Sequence, residues 1–488
     1  MKIAVIGTGY VGLVSAACFA EIGHEVIAVD SDIAKVEMLL SGTVPIHEKH
    51  LPELIDRHRG NRLMFSSDTG EACRQADVIF ICVGTPPSYT GEADLSYVEG
   101  VARELALSLN SHKVIVEKST VPVGTCEAVF RTMLVYGASA THFSIASNPE
   151  FLREGTAVID FLYPDRILLG VSDELSRNAL TEVYKPIVSG SYWKEPSALL
   201  SGSKLAPAHQ IITSVKSAEM IKHASNAFLA LKISFINSVA NVCERVGADV
   251  REVALGMGAD SRIGPRFLTP GIGYGGSCFP KDVLAFRSVA ASVGYDFTIL
   301  REVMEVNEDQ KRRFVSKVRA SLWNLRGKKL AVLGLAFKGG TDDCRDSPAI
   351  DLVKRLRAEG AEIVAYDPVA MKRAQALLPD DTVTFANSSY EACTGADALL
   401  ILTEWPEFAE LDWRRVQQLL RLPNVLDGKN LLDPIVVRAA GLRYYGVGTS
   451  SIALDLMQPA QSTASRPAAH HASDLEVSTD AGYSAVAS

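Results

Sequence analysis

Short, mostly apolar runs alternate with amphipathic segments along the first part of this chain. Residues 2–7, 25–30, 78–83 and 113–118 have the length and composition of strands, and residues 11–22 have a helical pattern. Strands that alternate with helices give right-handed crossovers and a parallel sheet covered on both faces. We therefore predict a doubly wound α/β domain over residues 1–188.

The same alternation returns near residue 328. Residues 329–334 and 362–367 are predicted strands, and Ser347-Pro348 begins a predicted helix that ends at Ala358, because proline is well tolerated in the first helical turn. The loop at residues 334–338 lacks the three-glycine pattern of dinucleotide-binding loops. We predict a second Rossmann-like domain over residues 325–455, which binds a nucleotide differently from the first.

The middle of the chain has a different pattern. Residues 217–245 contain no Gly or Pro and few charges, which predicts one long helix that neighbours must bury. We expect this helix to join the two domains and to contact a second subunit, within a central helical domain at residues 214–310. Residues 189–213, rich in Ser, Pro, Gly and Ala, are predicted to be a loop or insertion, and residues 458–488 a disordered tail.

Composition narrows the class of protein. The chain has 488 residues, of which 47% are hydrophobic and 22% charged, with a formal charge of −8 and a pI near 5.8. At about 150 residues per domain, this length indicates roughly three domains of a soluble protein. Without a broad basic field, nucleic acid is not an expected partner, and phosphates must be bound by local clusters.

The eight cysteines are scattered, with no C-x-x-C pair and no histidine spacing typical of zinc sites. We expect reduced thiols in the cytoplasm and no bound metal. Met1 and Lys2 lead directly into an apolar strand rather than a signal peptide, and no apolar window has the length of a membrane helix. Neither export nor membrane insertion is expected.

A glycine-rich loop follows the first predicted strand. It reads Gly7-Thr8-Gly9-Tyr10-Val11-Gly12 and opens a helix, and Asp30 ends the next strand. The glycines allow a tight turn and a close approach of a pyrophosphate to helix amides, and Asp30 can accept a hydrogen bond from a ribose 2′-hydroxyl. An acid at this position repels a 2′-phosphate, so NAD is favoured over NADP. Lys35 could approach the adenosine phosphates.

Two further loops follow later strands, at residues 84–87 and 119–125. Ligands of open α/β sheets bind outside the carboxyl ends of the strands, so Thr85 and Thr120 are candidates for contact with the cofactor or the reacting groups. An ordinary strand-ending turn is the alternative for each of them.

The strongest candidate for covalent chemistry is Cys278, in Gly275-Gly276-Ser277-Cys278-Phe279-Pro280-Lys281-Asp282. If a helix begins beside Pro280, the thiol lies at or near its N-cap, where the helix dipole and Lys281 would favour thiolate. Asp282 could orient a water or a hydroxyl. The alternative is a buried, inert cysteine, which the polar and flexible neighbours disfavour.

Other polar residues are spaced for a shared site. Glu150 and Glu154 lie four residues apart in Asn148-Pro149-Glu150-Phe151-Leu152-Arg153-Glu154-Gly155, and Lys222 and Asn226 lie four apart on the long helix. One carboxylate could act as a base, although a solvated Glu face is the common alternative. A polar pair on an apolar helix must meet another subunit or a ligand.

The segment around residues 262–276 and the second Rossmann-like loop add candidate contacts. Arg262, Phe267 and the glycine-rich run from Pro270 to Gly276 could surround a sugar or phosphate, or form turns unconnected with a ligand. Lys338 and Arg345 lie on either side of the second loop and are candidate anion contacts.

Together these motifs resemble those of the UDP-glucose 6-dehydrogenases, within the UDP-glucose/GDP-mannose dehydrogenase family. They occur in the family's order over residues 1–450, and residues 189–213 are longer than the compact bacterial forms need. The resemblance implies two Rossmann-like domains joined by a helical dimerisation domain, in a homodimer or higher homo-oligomer. It also implies oxidation of UDP-glucose to the C6 carboxylate in two NAD-dependent steps, through an aldehyde, a thiohemiacetal and a thioester.

The resemblance also implies roles for single residues. Cys278 would be the nucleophile, Lys222 would stabilise oxyanion character, Asp282 would assist proton transfer through water, and Thr120 and Glu154 would position the hydrolytic water. Asn226 is a further implied catalytic residue. The implied cofactor contacts are Gly7, Gly9, Tyr10, Val11, Gly12, Asp30, Lys35, Thr85, Thr120, Glu154, Lys281 and Arg345. The implied contacts to the UDP-sugar are Glu150, Phe151, Leu152, Arg153, Glu154, Lys222, Asn226, Phe267, Leu268, Thr269, Pro270, Gly271, Gly275, Lys338 and, from across a dimer, Arg262.

Three alternatives remain at this point. The same four-electron oxidation could act on GDP-mannose or a UDP-N-acetylhexosamine. A two-electron β-hydroxyacid dehydrogenase would share the first domain but would not need Cys278. A nucleotide sensor without activity would keep both Rossmann-like units, although the full set of chemical residues disfavours it.

Overall fold

The structure is a computed structural model, which describes residues 1–88, 91–199, 208–378 and 383–449. Within these ranges two open sheets are joined by a helical region, and this confirms the predicted fold class. The predicted tail at residues 458–488 lies outside the described residues.

The N-terminal domain is built on an eight-stranded sheet of order β3-β2-β1-β4-β5-β6-β7-β8. Its strands are β1 (Lys2–Ile6), β2 (Glu25–Val29), β3 (Leu63–Ser66), β4 (Val78–Ile81), β5 (Lys113–Glu117), β6 (Phe143–Ser147), β7 (Arg166–Val171) and β8 (His209–Thr213). Its helices are α1 (Tyr10–Glu21), α2 (Ile33–Leu40), α3 (Leu51–His58), α4 (Thr69–Gln75), α5 (Ser96–Ser108), α6 (Thr125–Val135), α7 (Ala157–Leu162) and α8 (Glu174–Val188).

Helices cover both faces of this sheet, as its alternating side chains require. Ile3 and Val5 of β1 pack in one buried cluster with residues of α1, α3, α7 and α8. Ala4 and Ile6, which point the other way, pack in a second cluster with residues of α4, α5 and α6. Because β1, β2, β4 and β5 run parallel, the loops that follow them meet at one edge.

Two features of this sheet differ from the sequence-based expectation. Strand β7 runs antiparallel to β6, so the sheet is not wholly parallel. The segment at residues 189–213, predicted to be a loop, contains a 3₁₀ turn at Tyr192–Lys194 and ends in β8, which pairs with β7 in parallel. The prediction was wrong for β8, because an edge strand is stabilised by its neighbour rather than by its own pattern.

The central region contains α9 (Val215–Val246), α10 (Val250–Gly258), α11 (Phe279–Ser292) and α12 (Thr298–Leu322). Helix α9 confirms the predicted long helix: Ser214 caps its start and Gly247, at φ 79°, ends it. Among the described residues, α9 alone is long and apolar enough to cross a membrane, whereas the sequence analysis found no such window. That match is weak evidence for a span, because α9 packs against α11 and α12 as core helices do.

The C-terminal domain has a six-stranded, wholly parallel sheet of order β11-β10-β9-β12-β13-β14. Its strands are β9 (Lys329–Leu333), β10 (Glu362–Tyr366), β11 (Val383–Phe385), β12 (Ala398–Ile401), β13 (Asn424–Asp427) and β14 (Arg443–Tyr445). Its helices are α13 (Pro348–Ala358), α14 (Met371–Leu377), α15 (Ser389–Cys393), α16 (Pro406–Ala409), α17 (Trp413–Leu419) and α18 (Pro434–Ala439).

Candidate active site

A cleft of about 1870 Å³ lies where the carboxyl edge of the N-terminal sheet meets the start of α11 and the loop before α13. It brings together residues that are far apart in sequence. The predicted residues that line it are Gly7, Gly9, Tyr10, Val11, Asp30, Lys35, Thr85, Thr120, Glu150, Leu152, Glu154, Cys278, Lys281, Asp282 and Arg345.

The glycine loop has the geometry that a dinucleotide requires. Gly7 has φ 99°, and a Cβ on Gly12 would lie 1.8 Å from the Gly7 carbonyl oxygen, so neither position tolerates a side chain. A Cβ on Gly9 would meet nothing within 4 Å, so the turn is open at that point. The residues present therefore fit a dinucleotide whose pyrophosphate lies at the start of α1.

Asp30 carries three local hydrogen bonds and an ion pair. It accepts from the Thr8 amide at 2.9 Å, the Thr8 hydroxyl at 2.7 Å and the Asp32 amide at 3.0 Å, and Lys35 Nζ lies 2.7 Å from its Oδ2. Burial alone would raise the pKa of Asp30, but the contacts with Lys35 and Thr8 hold it below its usual value. Asp30 is therefore an ionised acceptor at the wall of the cleft. Lys35 neutralises it in this structure.

Cys278 is the N-cap of α11, and Pro280 follows in the first turn, as predicted. The expectation of a stabilised thiolate is wrong for this state. Burial, followed by the nearby carboxylate of Glu150, raises the pKa of the Cys278 thiol to about 11, although Lys222 opposes the shift. The thiol is therefore protonated near neutral pH, and Ser277 Oγ lies 3.6 Å from its sulfur.

Lys222 is buried beside the thiol and fixed by Glu150. Its Nζ donates to the Glu150 carbonyl oxygen at 2.6 Å and to Glu150 Oε1 at 3.0 Å. Burial alone would lower the pKa of Lys222, but Glu150 and then Cys278 and Asp282 raise it above its usual value. The cluster therefore holds a buried cation that interacts with Cys278, which suits a developing oxyanion.

A second chain of contacts leads from α9 to the cofactor edge of the cleft. Asn226 Nδ2 donates to Asp282 Oδ2 at 2.6 Å, and Lys281 Nζ lies 2.8 Å from Asp282 Oδ1. The same ammonium donates to the Thr85 hydroxyl at 3.3 Å, and that hydroxyl donates to the Thr120 carbonyl oxygen at 3.0 Å. The side chain of Asp282 is fully buried, so only groups inside the cleft can reach it.

Glu154 reaches the same cleft from the loop before α7. Ser277 Oγ donates to Glu154 Oε1 at 3.0 Å, and Arg345, which is paired with Asp343, approaches to 3.6 Å. Burial and the charge of Asp343 raise the pKa of Glu154 to about 7. A carboxylate that titrates near neutrality beside the nucleophile is suited to general-base chemistry.

The segment before Cys278 is held close to the C-terminal domain. A Cβ on Gly275 would lie 2.2 Å from the Asp346 carbonyl oxygen, so only glycine allows these backbones to meet. Gly271 donates its N–H to Asn237 Oδ1 at 2.8 Å, and Phe267 takes φ 65°. Leu268 and Pro270 are buried, whereas Thr269 is exposed.

The remaining predicted contacts lie outside the lining of the cleft. The Phe151 ring packs between Arg166, 3.9 Å from its centroid, and Lys222 at 5.2 Å. Arg153 pairs with Asp160 at 2.6 Å on the surface. Arg262 pairs only locally with Asp260 and its side chain is 87% exposed, so within one chain it does not reach the cleft. Lys338 lies over the Phe337 ring at 5.8 Å.

Sequence reasoning missed several residues that hold the site together. Asn307 of α12 donates to and accepts from the Tyr274 backbone, at 3.0 and 2.8 Å. Glu219 accepts from the Gly124 and Cys126 amides and so fixes the loop after Thr120. Lys429 donates to the Phe337 carbonyl oxygen at 3.3 Å. The partners of these residues are distant in the chain, and no local pattern marks them. The contact of Ser277 with Glu154 was also missed, although Ser277 lies within the motif that contains Cys278.

Family models match all three parts of the chain. They are the NAD-binding domain of the UDP-glucose/GDP-mannose dehydrogenase family at residues 1–188, its central domain at 216–309 and its UDP-binding domain at 331–434. The chain belongs to the UDP-glucose/GDP-mannose dehydrogenase family. The predictions of the family and of NAD as cofactor are therefore confirmed.

Individual relatives agree with this assignment. The chain is 45% identical over 452 residues to the UDP-glucose 6-dehydrogenase TuaD of Bacillus subtilis, covering 92% of this chain and 94% of that protein. It is 45% identical over 453 residues to the UDP-glucose 6-dehydrogenase of Rhizobium meliloti, covering 92% and 99%. A solved UDP-glucose dehydrogenase from Pyrobaculum islandicum is 38% identical, with a TM-score of 0.82 and coverage of 92% and 98%.

Proposed function

We propose that this chain oxidises UDP-glucose at C6 to UDP-glucuronate, in two NAD-dependent steps through a covalent adduct on Cys278. The observation that carries this proposal is the buried cluster of thiol, ammonium and carboxylate groups at the start of α11, formed by Cys278, Lys222 and Asp282. The curated relatives at 40–45% identity are named UDP-glucose 6-dehydrogenases, which supports this sugar.

The proposed first step forms an aldehyde at C6. NAD, when bound along the glycine loop, accepts a hydride in each oxidation. The hydroxyl proton passes through a water to a base, for which Asp282 is the candidate, and Lys222 stabilises the oxygen as charge develops. Asn226 orients Asp282 through its 2.6 Å hydrogen bond.

The second oxidation takes place on the enzyme-bound carbon. The Cys278 sulfur bonds to the aldehyde carbon, and the thiol proton goes to the aldehyde oxygen, which gives a thiohemiacetal. Loss of a second hydride and of the hydroxyl proton gives a thioester. Because the thiol is protonated at rest, Lys222 has its largest effect at this addition, where the sulfur must become nucleophilic.

Hydrolysis then releases the acid. Ionised Glu154 takes a proton from a water that it positions together with Thr120, and the water oxygen attacks the thioester carbon. The carbon–sulfur bond breaks, the proton held by Glu154 goes to the sulfur, and the carboxylic acid loses its own proton to water and leaves as the carboxylate of the nucleotide sugar. The sum is two NAD reduced, one water consumed and one alcohol converted to a carboxylate.

We also propose a homodimer formed through α9. Phe228, Phe235 and Val242 follow one another at seven-residue intervals on α9 and are 61%, 51% and 57% exposed. Burial of such an apolar stripe stabilises association. The dimer would bring Arg262 to the cleft of its partner. If the Phe235→Asp variant remained a dimer by light scattering, this proposal would be wrong.

We also propose that the protein acts in the cytoplasm. All eight cysteines are free thiols, which supports this compartment.

The test of function is the ratio of NADH formed to UDP-glucose consumed, with the nucleotide sugar limiting. We expect a ratio near two; a ratio near one would leave a simple alcohol dehydrogenase. Cys278→Ser should lose net oxidation to the acid and still bind NADH, and full turnover by this variant would exclude the covalent route. Cys393→Ser, a buried thiol in the C-terminal domain, is the matched control.

The second candidate is the same reaction on another nucleotide sugar. A solved UDP-D-ManNAc dehydrogenase from Pyrococcus horikoshii is 28% identical to the chain with a TM-score of 0.77. Turnover of a UDP-N-acetylhexosamine or GDP-mannose, with none of UDP-glucose, would favour this candidate.

A further inference from the structure

Glu48 is a buried carboxylate outside every motif considered so far. It lies in the segment between α2 and α3 and is 3% exposed, whereas its neighbours His47 and Lys49 are exposed. Burial of a carboxylate is costly unless several donors satisfy it, so the partners of Glu48 indicate why it is inside.

Those partners belong to two segments that each contribute a residue to the lining of the cleft, Tyr10 in one and Glu154 in the other. Glu48 Oε2 accepts from the Tyr10 hydroxyl and from the Gly155 amide, the latter at 2.6 Å. Glu48 Oε1 accepts from the Ala157 amide at 2.8 Å. Tyr10 belongs to the glycine loop at the start of α1, and Gly155 directly follows Glu154.

The contacts continue from Gly155 in two directions. Glu154 accepts from Ser277, the neighbour of Cys278. Gly155 itself, at φ 85°, packs so closely on the C-terminal domain that a Cβ would lie 2.7 Å from the Gly340 carbonyl oxygen. One carboxylate thus joins the cofactor loop, the Glu154 loop and the loop of the UDP-binding domain that carries Lys338.

Glu48 also replaces a cap that the local sequence does not provide. Thr156 is the N-cap of α7, yet its side chain makes no capping hydrogen bond. Glu48 instead accepts from the Ala157 amide in the first turn and from the Gly155 amide just before the helix, so the position of this helix start depends on a residue 107 positions away from Gly155. A shift of Tyr10 relative to α7 would therefore have to move or break the Glu48 contacts.

We propose that Glu48 is a positioning residue that couples occupation of the cofactor loop to the placement of Glu154 and of the nucleotide-sugar site. The proposal rests on the proposed function for the role of Glu154, but the coupling itself is a property of binding. A cofactor bound at Tyr10 and a nucleotide sugar bound on the side of Glu154 and Lys338 would each favour one arrangement of the Glu48 carboxylate. Their affinities must then change reciprocally.

The test measures the Kd of UDP-glucose by calorimetry with and without saturating NADH, a pair that cannot react. In the wild type we expect NADH to change this Kd by at least about 5-fold, the lower end of typical coupling. In Glu48→Gln the factor should fall below about 2-fold, because the amide nitrogen cannot accept, whereas both carboxylate oxygens of Glu48 accept in this structure. NADH alone should still bind.

Two further variants separate coupling from folding. Tyr10→Phe removes one hydroxyl and should weaken the coupling as well, and adding it to Glu48→Gln should have little further effect, since both act through one contact. Glu21→Gln is the matched control: Glu21 is another buried carboxylate of this domain, bonded to His58 at 2.6 Å and Arg57 at 2.7 Å. It should lower the melting temperature and leave the coupling intact.

The proposal is overturned if wild-type binding shows no coupling, if Glu48→Gln retains it, or if Glu21→Gln loses it equally. Should Glu48→Gln fail to fold, Tyr10→Phe decides alone. Binding requires neither Cys278 nor hydride transfer, so failure of the covalent mechanism would leave the coupling measurable. If UDP-glucose does not bind at all, UDP serves as the probe, and the proposed substrate fails separately.

Discussion

The two Rossmann-like domains begin in the same way. Gly7 follows β1 and Gly334 follows β9, with φ angles of 99° and 96°. The amide of Gly7 donates to the Val29 carbonyl oxygen at 2.7 Å, and that of Gly334 donates to the Tyr366 carbonyl oxygen at 2.8 Å. The turn after the first strand therefore has the same backbone geometry in both domains.

The domains differ in what the acid after the second strand does. Asp30 lines the cleft and accepts locally from Thr8. Asp367 is 1% exposed and accepts from the amides of Leu335 and Ala336 and from Trp405 Nε1, at 2.7, 3.1 and 3.1 Å. In both domains the acid accepts from the amide that follows the first loop glycine, that of Thr8 or Leu335, but only Asp367 also binds the next loop amide and an indole while buried from water.

The helix that follows also differs. In the first domain α1 starts at Tyr10, three residues after Gly7, so its free amides face the cleft. In the second domain α13 starts only at Pro348, and the longer loop carries Lys338 and Arg345 toward the active site. One fold thus supports two different sites, because loop length and the use of a single carboxylate decide which groups face a ligand.

The largest contrast should appear in stability. Asp367→Ala leaves several buried donors unpaired, and each costs about 1–3 kcal/mol, so we expect a loss of about 3 kcal/mol or more in the free energy of unfolding. Asp30→Ala should cost less than about 1 kcal/mol, because water in the cleft can replace it. Urea unfolding of both variants measures the difference. Equal losses would contradict the distinct roles.

For cofactor binding we expect the opposite order, with Asp30→Ala having the larger effect. Asp30→Ala should raise the KM for NAD by about 10–100-fold, the loss of one or two charge-assisted hydrogen bonds, and should improve relative use of NADP. Steady-state kinetics with both cofactors measure this. Wild-type protein that used NAD and NADP equally would show that the role of Asp30 has been misassigned.

Glu154 lies where the two domains meet, and its pKa near 7 reflects burial and Asp343 of the C-terminal domain. If ionised Glu154 is the base for hydrolysis, the rate of thioester hydrolysis should fall about tenfold between pH 8 and pH 6 as the carboxylate is protonated. Asp343→Asn removes a negative neighbour, so the midpoint should move to lower pH. Rapid-quench measurement of hydrolysis in both proteins tests the direction of this pH shift. An unchanged midpoint would show that the charge of Asp343 does not influence the pKa of Glu154.

The smallest effect is expected at Lys35, whose side chain is 30% exposed. Removal of this partly exposed partner of Asp30 should change cofactor binding by less than about 1 kcal/mol. The direction is informative: in Lys35→Ala the unneutralised Asp30 should repel a 2′-phosphate more strongly and so increase the preference for NAD. A decrease in that preference, measured as the ratio of kcat/KM values for NAD and NADP, would mean that Lys35 disfavours NADP in the wild-type protein.

Features that depend on neighbouring residues were predictable. The alternation of apolar runs predicted the strands β1, β2, β4, β5, β9 and β10 but not β3, and the absence of Gly and Pro predicted α9. The glycine loop and the N-cap position of Cys278 follow from local stereochemistry, in which φ freedom and the missing proline amide act within a few residues. Family resemblance then supplied expected roles that the fold alone would not give.

Features that depend on partners distant in the chain could not be predicted from the sequence. Strand β8 exists through pairing with β7, and Asp367 closes its own loop in a way that no motif signals. The Cys278 thiol is protonated because burial, and then the carboxylate of Glu150 from 128 positions earlier, raises its pKa, whereas the local sequence suggested a thiolate. Hydrophobic period and turn chemistry are set within a few residues of chain, but desolvation and charge interactions depend on which groups folding brings within a few ångströms.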